Sequence, residues 1–215
     1  RCAGLSRSDW RGDCALVVAT RAGAEAGEPG AWCAQVPEGL WRDECWFQAA
    51  EIRRKQRRTS DALDLCGRAG RFSVRCDYHV WQEELGRAVM GQDGRDVGSV
   101  TRATEPLYTR WSGLVGSRWD PEQVQDLPLG TASERPTFEA AFFGRAYQRH
   151  LEQAPALAVA DCGAAGDRRA YCEASLRDVA RRRVFDWNAF RGGDCSGLEG
   201  AEDPVAWWAE RNIRI

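Results

Sequence analysis

The residues best placed to do chemistry are Cys76, His79 and Glu83, which would share one helix face at positions i, i+3 and i+7. A thiolate, an imidazole and a carboxylate in this spacing could hold copper or zinc if Cys76 were reduced. In the related segments described below, the position of His79 is taken by valine, glutamine or serine, so the repeated scaffold does not require histidine. We therefore expect no cofactor, and a small metal-handling protein or enzyme centred on His79 remains an alternative.

Cysteine is unusually frequent, with nine in 215 residues that contain one methionine. Eight cysteines fall into pairs with 11, 11, 9 and 9 residues between partners: Cys2/Cys14, Cys33/Cys45, Cys66/Cys76 and Cys162/Cys172. This regularity favours structural disulfides over zinc, because Cys-x2-Cys pairs are absent and there are only two histidines. Disulfides indicate an oxidising location, which we expect to be the periplasm, cell surface or exterior of a bacterium. The ninth cysteine, Cys195, is predicted to stay free or to bond another chain.

The cysteine pairs belong to a sequence repeat. Cys14, Cys45 and Cys76 are spaced 31 residues apart, and Trp10-Arg11-Gly12-Asp13-Cys14 matches Trp41-Arg42-Asp43-Glu44-Cys45. The match explains Arg11-Gly12-Asp13 as the start of a repeated helix rather than an adhesion motif. It also predicts that Trp10 and Trp41, with Phe72 in the third copy, form a core between repeats.

Each repeat is predicted to be a helical hairpin with a short first helix and a long second helix. Antiparallel helices are closest at their shared turn, so the spacing predicts a disulfide within each hairpin. Proline and glycine in the segment 36–39 favour a turn there. The predicted elements are long helices through Cys14, from Leu40, and from Arg71 to about Met90, and short helices around Cys33 and over 61–66, the latter capped by Thr59 or Ser60.

A second periodicity extends the repeat to the rest of the chain. A shift of 96 residues, about three repeats, carries Cys66 and Cys76 onto Cys162 and Cys172. The sequence therefore predicts an all-α fold, an α-solenoid of about six to seven two-helix repeats of ~31–34 residues in one domain, 1–215. Its parts would be three disulfide-closed units (1–91), an unclosed unit with an irregular loop (92–135), and a second closed block with a C-terminal cap (136–215). Within these, the proline-rich stretch 119–136 is expected to be an irregular loop.

The unit length and the alternation of small and aromatic residues resemble tetratricopeptide or Sel1-like repeats, including the disulfide-stapled Sel1-like repeats of secreted bacterial proteins. The resemblance covers nearly the whole chain and implies an α-solenoid. No unit carries the tetratricopeptide signature of Trp, Leu-Gly, Tyr and a closing Pro. The resemblance therefore implies the fold and no particular ligand.

Two runs of cations fall at the C-terminal ends of predicted long helices and would share one edge of a solenoid. They are Arg53, Arg54, Lys55, Arg57 and Arg58 after Cys45, and Arg181, Arg182 and Arg183 after Cys172. Cations there can simply complement the helix dipole. Alternatively, they form a rim that binds an acidic protein surface, an anionic glycan or lipid head groups.

These features predict a non-catalytic, extracytoplasmic scaffold or adaptor that binds another protein or an anionic surface ligand. The net charge of −2 argues against nucleic acid as a partner, and no apolar run approaches the ~18 residues that span a bilayer. His150 has no serine or cysteine placed as an obvious nucleophile beside it, so no catalytic triad is indicated. An accessory structural subunit of a cell-surface or periplasmic assembly is the alternative within the same class.

Overall fold

The structure, a computed structural model, describes residues 2–4, 6–91, 96–124, 136–153 and 161–190, with side chains up to residue 183. Within these ranges every regular element is helical, which confirms the predicted all-α class. The chain divides into two compact units, Arg1–Glu83 and Glu84–Ile215. The finer prediction of a continuous solenoid, with the three parts given above, stays a prediction.

The first unit contains three helices and the start of a fourth. They are α1 (Ser8–Glu25), α2 (Leu40–Lys55), α3 (Thr59–Cys66) and α4 (Ser73–Met90), with 3-10 turns at Cys2–Gly4, Cys33–Gln35 and Gly70–Phe72. The predicted start at Leu40 and end at Met90 are confirmed. The boundary between the units falls within α4.

Two predictions about the short first helices are wrong. The segment around Cys33 forms only one 3-10 turn, Cys33–Gln35, because Val36 is extended, as residues that precede a proline usually are. Thr59 and Ser60 are not N-caps: α3 already begins at Thr59, and its N-cap is Arg58, without a side-chain cap. The chain leaves α2 through a tight turn and re-enters a helix at once, so Thr59 and Ser60 fall inside the first helical turn.

The four predicted disulfides form within the hairpins. Their Cα–Cα distances are 5.7 Å for Cys2–Cys14, 5.5 Å for Cys33–Cys45, 5.3 Å for Cys66–Cys76 and 5.6 Å for Cys162–Cys172. Each bond joins the short element of a repeat to the long helix that follows. Cys195 lies outside the described residues.

The core of the first unit joins α1 to α2. Its buried members are Leu16, Ala19, Cys33, Val36, Cys45 and Ala49. Trp41 packs against this cluster and lies directly over Gly12, where an added Cβ would come within 2.0 Å of the indole. Gly12 is therefore buried beneath a neighbouring helix, so its Arg-Gly-Asp triplet is not displayed on a loop.

The prediction that Trp10 is a core residue is wrong, since 52% of it is exposed. Trp41 is covered by the helix before its own, whereas no described helix lies on the corresponding side of α1. The indole of Trp10 instead carries the Arg7 guanidinium 4.8 Å from its centre. Phe72 is half-buried, with its ring 6.0 Å from that of Phe47.

The second unit is built on α5 (Val97–Val115), α6 (Phe138–Gln153) and α7 (Arg169–Phe190), with 3-10 turns at Gly116–Arg118, Pro121–Gln123 and Cys162–Arg168. Helix α6 packs between α5 and α7, and eleven of its sixteen residues are buried, His150 included. Within the predicted loop 119–136, the indole N–H of Trp119 donates to the carbonyl of Pro136 at 2.9 Å. The interior of that loop, residues 125–135, lies outside the described residues.

Candidate functional site

The first two cations of the predicted rim, Arg53 and Arg54, are structural. Arg53 is only 5% exposed and donates to Glu28 Oε2 at 3.1 Å and to the Gly27 carbonyl at 3.3 Å. Arg54 pairs with Glu51 on its own helix at 2.7 Å and with Glu83 on α4. Both guanidinium groups therefore hold α2 to neighbouring segments and are not available to a partner.

The remaining three cations of this run, Lys55, Arg57 and Arg58, are exposed and are called here the basic end of α2. Within the part of the chain that the structure describes, Lys55 and Arg57 make no ion pair, while Arg58 pairs with Asp61. This surface therefore carries two positive charges that no described carboxylate neutralises.

Arg57 adopts a backbone conformation that usually selects glycine. Its φ is +62°, and the turn around it ends α2 with a hydrogen bond from the Arg58 N–H to the Arg53 carbonyl at 3.0 Å. At the matching turn that ends α1 the residue is Gly27, with φ +69°. A left-handed residue other than glycine costs about 1–2 kcal/mol. An exposed arginine with a strained backbone therefore lies where the preceding repeat has glycine.

The second run is also partly used inside the fold. Arg182 pairs with Asp178 and with Glu152, the latter at 3.3 Å, and Arg183 donates to the carbonyls of Leu151 and Glu152 at 3.0 Å. Burial lowers the pKa of Arg183 from its ordinary value, with Glu152 opposing the shift. Arg183 thereby satisfies carbonyls at the C-terminal end of α6. Of the three, Arg181 and Arg182 are exposed, and the single edge predicted for both runs stays a prediction.

In the predicted alternative, a metal site centred on His79, each of the three side chains makes a different interaction in the structure. Cys76 is bonded to Cys66 and so offers no thiolate. His79 places Nδ1 3.3 Å from Glu51 Oε1, and Glu83 pairs with Arg54. Among the described residues, no group of three His, Cys, Asp or Glu side chains has a geometry that could hold a metal ion.

Glu51 lies at the centre of this polar cluster and has a strongly shifted pKa. Burial alone would raise its pKa, but hydrogen bonds from His79 and Arg54, together with their positive charge, outweigh burial and lower the pKa to about 2. The carboxylate therefore stays ionised across the physiological range. Because Glu51 of α2 contacts His79 of α4, the cluster stabilises the contact between two successive long helices.

Because the pKa of Glu51 is lower in the folded chain than its ordinary 4.5, this carboxylate stabilises the fold above about pH 4.5. The stabilisation is lost as pH falls from about 4.5 to 2. Between pH 5.5 and 2.5, we expect the free energy of unfolding to fall by about 1–2 kcal/mol more in the wild type than in Glu51→Gln, after allowance for solvent screening. Urea denaturation at each pH measures this difference. Glu38→Gln, at a side chain that is 86% exposed, should leave the wild-type pH dependence unchanged.

A second candidate surface, not predicted from the sequence, is an apolar groove on α1. Its volume is about 350 Å³, and it is lined by Cys2, Ala15, Val18, Ala19, Ala22, Trp32, Gln35 and Val36. Val18 is 55% exposed and Trp32 is 42% exposed. The groove falls within the size range of small-ligand sites and presents an exposed indole at its edge.

Comparison with known proteins finds no matching family model, no matching curated protein and no matching solved structure. In the described ranges, no helix combines the length and the apolar character that a membrane span requires.

Proposed function

We propose that this protein is a non-catalytic, extracytoplasmic helical-repeat scaffold that binds an acidic protein partner at the basic end of α2. The observation that carries the proposal is the pair of exposed, unneutralised cations Lys55 and Arg57, one of them kept at a strained backbone position. Strained residues tend to collect at functional sites, where their cost is offset by their role.

Contacts between successive long helices support the repeat architecture within each unit. In the first unit, His79 of α4 contacts Glu51 of α2, 28 residues earlier. In the second, the Ser175 hydroxyl of α7 donates to the Gly144 carbonyl of α6 at 2.9 Å, 31 residues earlier. Such spacing is expected when each repeat packs mainly against its neighbour in the sequence.

The disulfides support the proposed location. Four bonds within short loops are typical of chains that fold in an oxidising compartment, whereas thiols in the cytoplasm are kept reduced. A scaffold exposed to that environment gains from covalent closure of units that cannot each bury a complete core.

The chemistry of the basic end favours a protein partner over a membrane or a glycan. Lipid-binding basic segments usually contain four to eight cations, whereas Lys55, Arg57 and Arg58 number three and Arg58 already pairs with Asp61. The planar guanidinium of Arg57 matches a carboxylate through two parallel hydrogen bonds. An acidic protein segment presents such carboxylates at discrete positions.

Charge-neutralising substitutions test the proposal. The triple variant Lys55→Gln/Arg57→Gln/Arg58→Gln should bind a fluorescent octaglutamate peptide at low salt at least fivefold more weakly than the wild type. Fluorescence anisotropy measures the affinity, and crosslinking mass spectrometry in the native host should place the natural partner at the same residues.

A matched control removes three exposed cations from α1 and its N-terminal flank in the same unit: Arg7→Gln/Arg11→Gln/Arg21→Gln. This control has the same net charge as the test variant and should lose less than twofold in affinity. Equal losses in the two triple variants would show that only bulk charge is sensed, and the proposed site would then be wrong.

A further inference from the structure

The apolar groove on α1 has a counterpart on α2 that the chain fills with its own backbone. There Pro29 and Gly30 are buried, and a Cβ added to Gly30 would lie 3.0 Å from both Trp46 and Leu65. At one end of this surface of α2, Arg53 donates hydrogen bonds to the Gly27 carbonyl and to Glu28. We call it the Pro-Gly site.

The repeat relates the two places residue by residue. Long helices repeat at 31 positions, as Cys14 and Cys45 do, and the short elements before α2 and α4 repeat at 33 positions, as Cys33 and Cys66 do. These shifts carry the residues of the Pro-Gly site, Trp46, Arg53, Leu65 and Arg68, onto Ala15, Ala22, Trp32 and Gln35, in that order. All four of the latter line the groove. The groove is therefore the first repeat's version of the Pro-Gly site.

Three of these four differences shorten a side chain and so open the groove. Trp46 fills part of the Pro-Gly site and carries the Arg68 guanidinium 5.2 Å from its ring centre. In the groove, the counterpart of Trp46 is Ala15 and that of Arg68 is Gln35. The fourth difference exchanges Leu65 for the larger indole of Trp32, which is left partly exposed.

The exchange of Arg53 for Ala22 also changes what the groove should bind. In the Pro-Gly site, Arg53 selects an acidic residue, Glu28, immediately before the proline. At Ala22 there is no cation, and the exposed Val18, one helical turn away, favours an apolar side chain in that place. A proline next to it could pack on the indole of Trp32, as prolines do in aromatic-lined peptide grooves.

We propose that the groove binds an extended segment of a partner protein with the pattern apolar residue–proline–glycine. The segment would lie as Glu28-Pro29-Gly30 lies on α2, so the groove continues an interface that the chain already makes with itself. This second binding site does not depend on the basic end of α2. A partner that engages both would be held at two places in one unit.

The probe is a capped hexapeptide with the sequence 26–31 of this chain and the change Glu28→Leu. It should bind the intact protein with a Kd of about 0.1–1 mM, as expected for a short uncharged peptide. Binding should shift the indole N–H signal of Trp32 in nitrogen–proton NMR spectra, with Trp32→Phe used to assign that signal. The parent peptide with Glu28, and a third with Pro29→Ala, should each bind at least fivefold more weakly.

The groove variant is Ala15→Trp, which introduces the residue already present at position 46 of the next repeat. It should weaken peptide binding at least tenfold without changing helix content by circular dichroism. Val17→Trp, at a 58% exposed position on the same helix outside the groove lining, should bind like the wild type. Val18→Glu provides a second groove variant if Ala15→Trp fails to fold.

Two results would overturn the inference. One is undiminished binding by the folded Ala15→Trp or Val18→Glu variant, or equal binding of all three peptides. The other is a shift of the Trp32 signal upon dilution of the protein alone, with a matching change in mass by light scattering, because a second copy would then occupy the groove. Neither result bears on the octaglutamate test of the basic end.

Discussion

The double variant Cys66→Ala/Cys76→Ala is expected to unfold at a urea concentration about 2 M below that of the wild type. Opening this bond, whose partners are 10 positions apart, costs about 3 kcal/mol in the chain-entropy account. Both cysteines are fully buried, so the double substitution also removes packing from the core. Helix α3 has only eight residues and depends on this link, since isolated helices of that length are unstable in water.

Hydrogen exchange locates the effect of this variant. Amides of α3 should lose protection first, because the short helix then loses its covalent link and depends on packing, chiefly on α2. Cys195→Ser, which removes the cysteine outside the four pairs, serves as the control and should shift the urea midpoint by less than about 0.3 M. Retained protection of α3 in the double variant would show that packing alone holds the hairpin.

The fold predicted from the sequence was most accurate where the determining interactions are local. The spacing of each cysteine pair reflects a short turn between two elements, and the start of α2 at Leu40 follows from Pro37 and Gly39. The prediction for Trp10 was wrong because distant packing decides whether this side chain is buried. Trp10 and Trp41 share a local sequence, yet only Trp41 has a described preceding helix against which to pack.

The candidate sites show the same limit. A run of cations looks uniform in sequence, but Arg53 and Arg54 are neutralised by Glu28 and Glu83, which lie 25 and 29 residues away. Such pairing depends on tertiary contact and cannot be predicted from composition. The repeat alignment does contain a signal for the groove, since Ala15 aligns with Trp46 of the next repeat. An alanine in a helix does not by itself indicate a binding site.

Arg168 holds the second unit together at a position where the first unit has an aromatic ring. The shift of 96 residues that relates the closed repeats carries Phe47 and Phe72 onto Phe143 and Arg168. In the first unit the two phenyl rings are 6.0 Å apart; in the second the guanidinium lies 4.1 Å from the ring centre of Phe143. A cation thus takes the place of a ring over the same aromatic residue.

Arg168 also joins three elements through charge. From the 3-10 turn before α7, it donates to Glu105 of α5 at 2.9 Å and lies 3.5 Å from Glu139 of α6. These carboxylates are 43% and 38% exposed, so each ion pair contributes at most about 1 kcal/mol. The cation–π contact and the packing of the half-buried stem add about 1 kcal/mol each.

We therefore expect Arg168→Ala to lower the free energy of unfolding of the second unit by about 2–3 kcal/mol, measured by urea denaturation and by hydrogen exchange in α5 and α6. Arg168→Phe should recover about half of this loss, because it restores the ring contact of the first unit without the ion pairs. Arg169→Ala, at a side chain that is 67% exposed, should change stability by less than about 0.5 kcal/mol. If Arg168→Phe were no more stable than Arg168→Ala, the equivalence of the two aromatic contacts would be wrong, and the ion pairs alone would account for the role of Arg168.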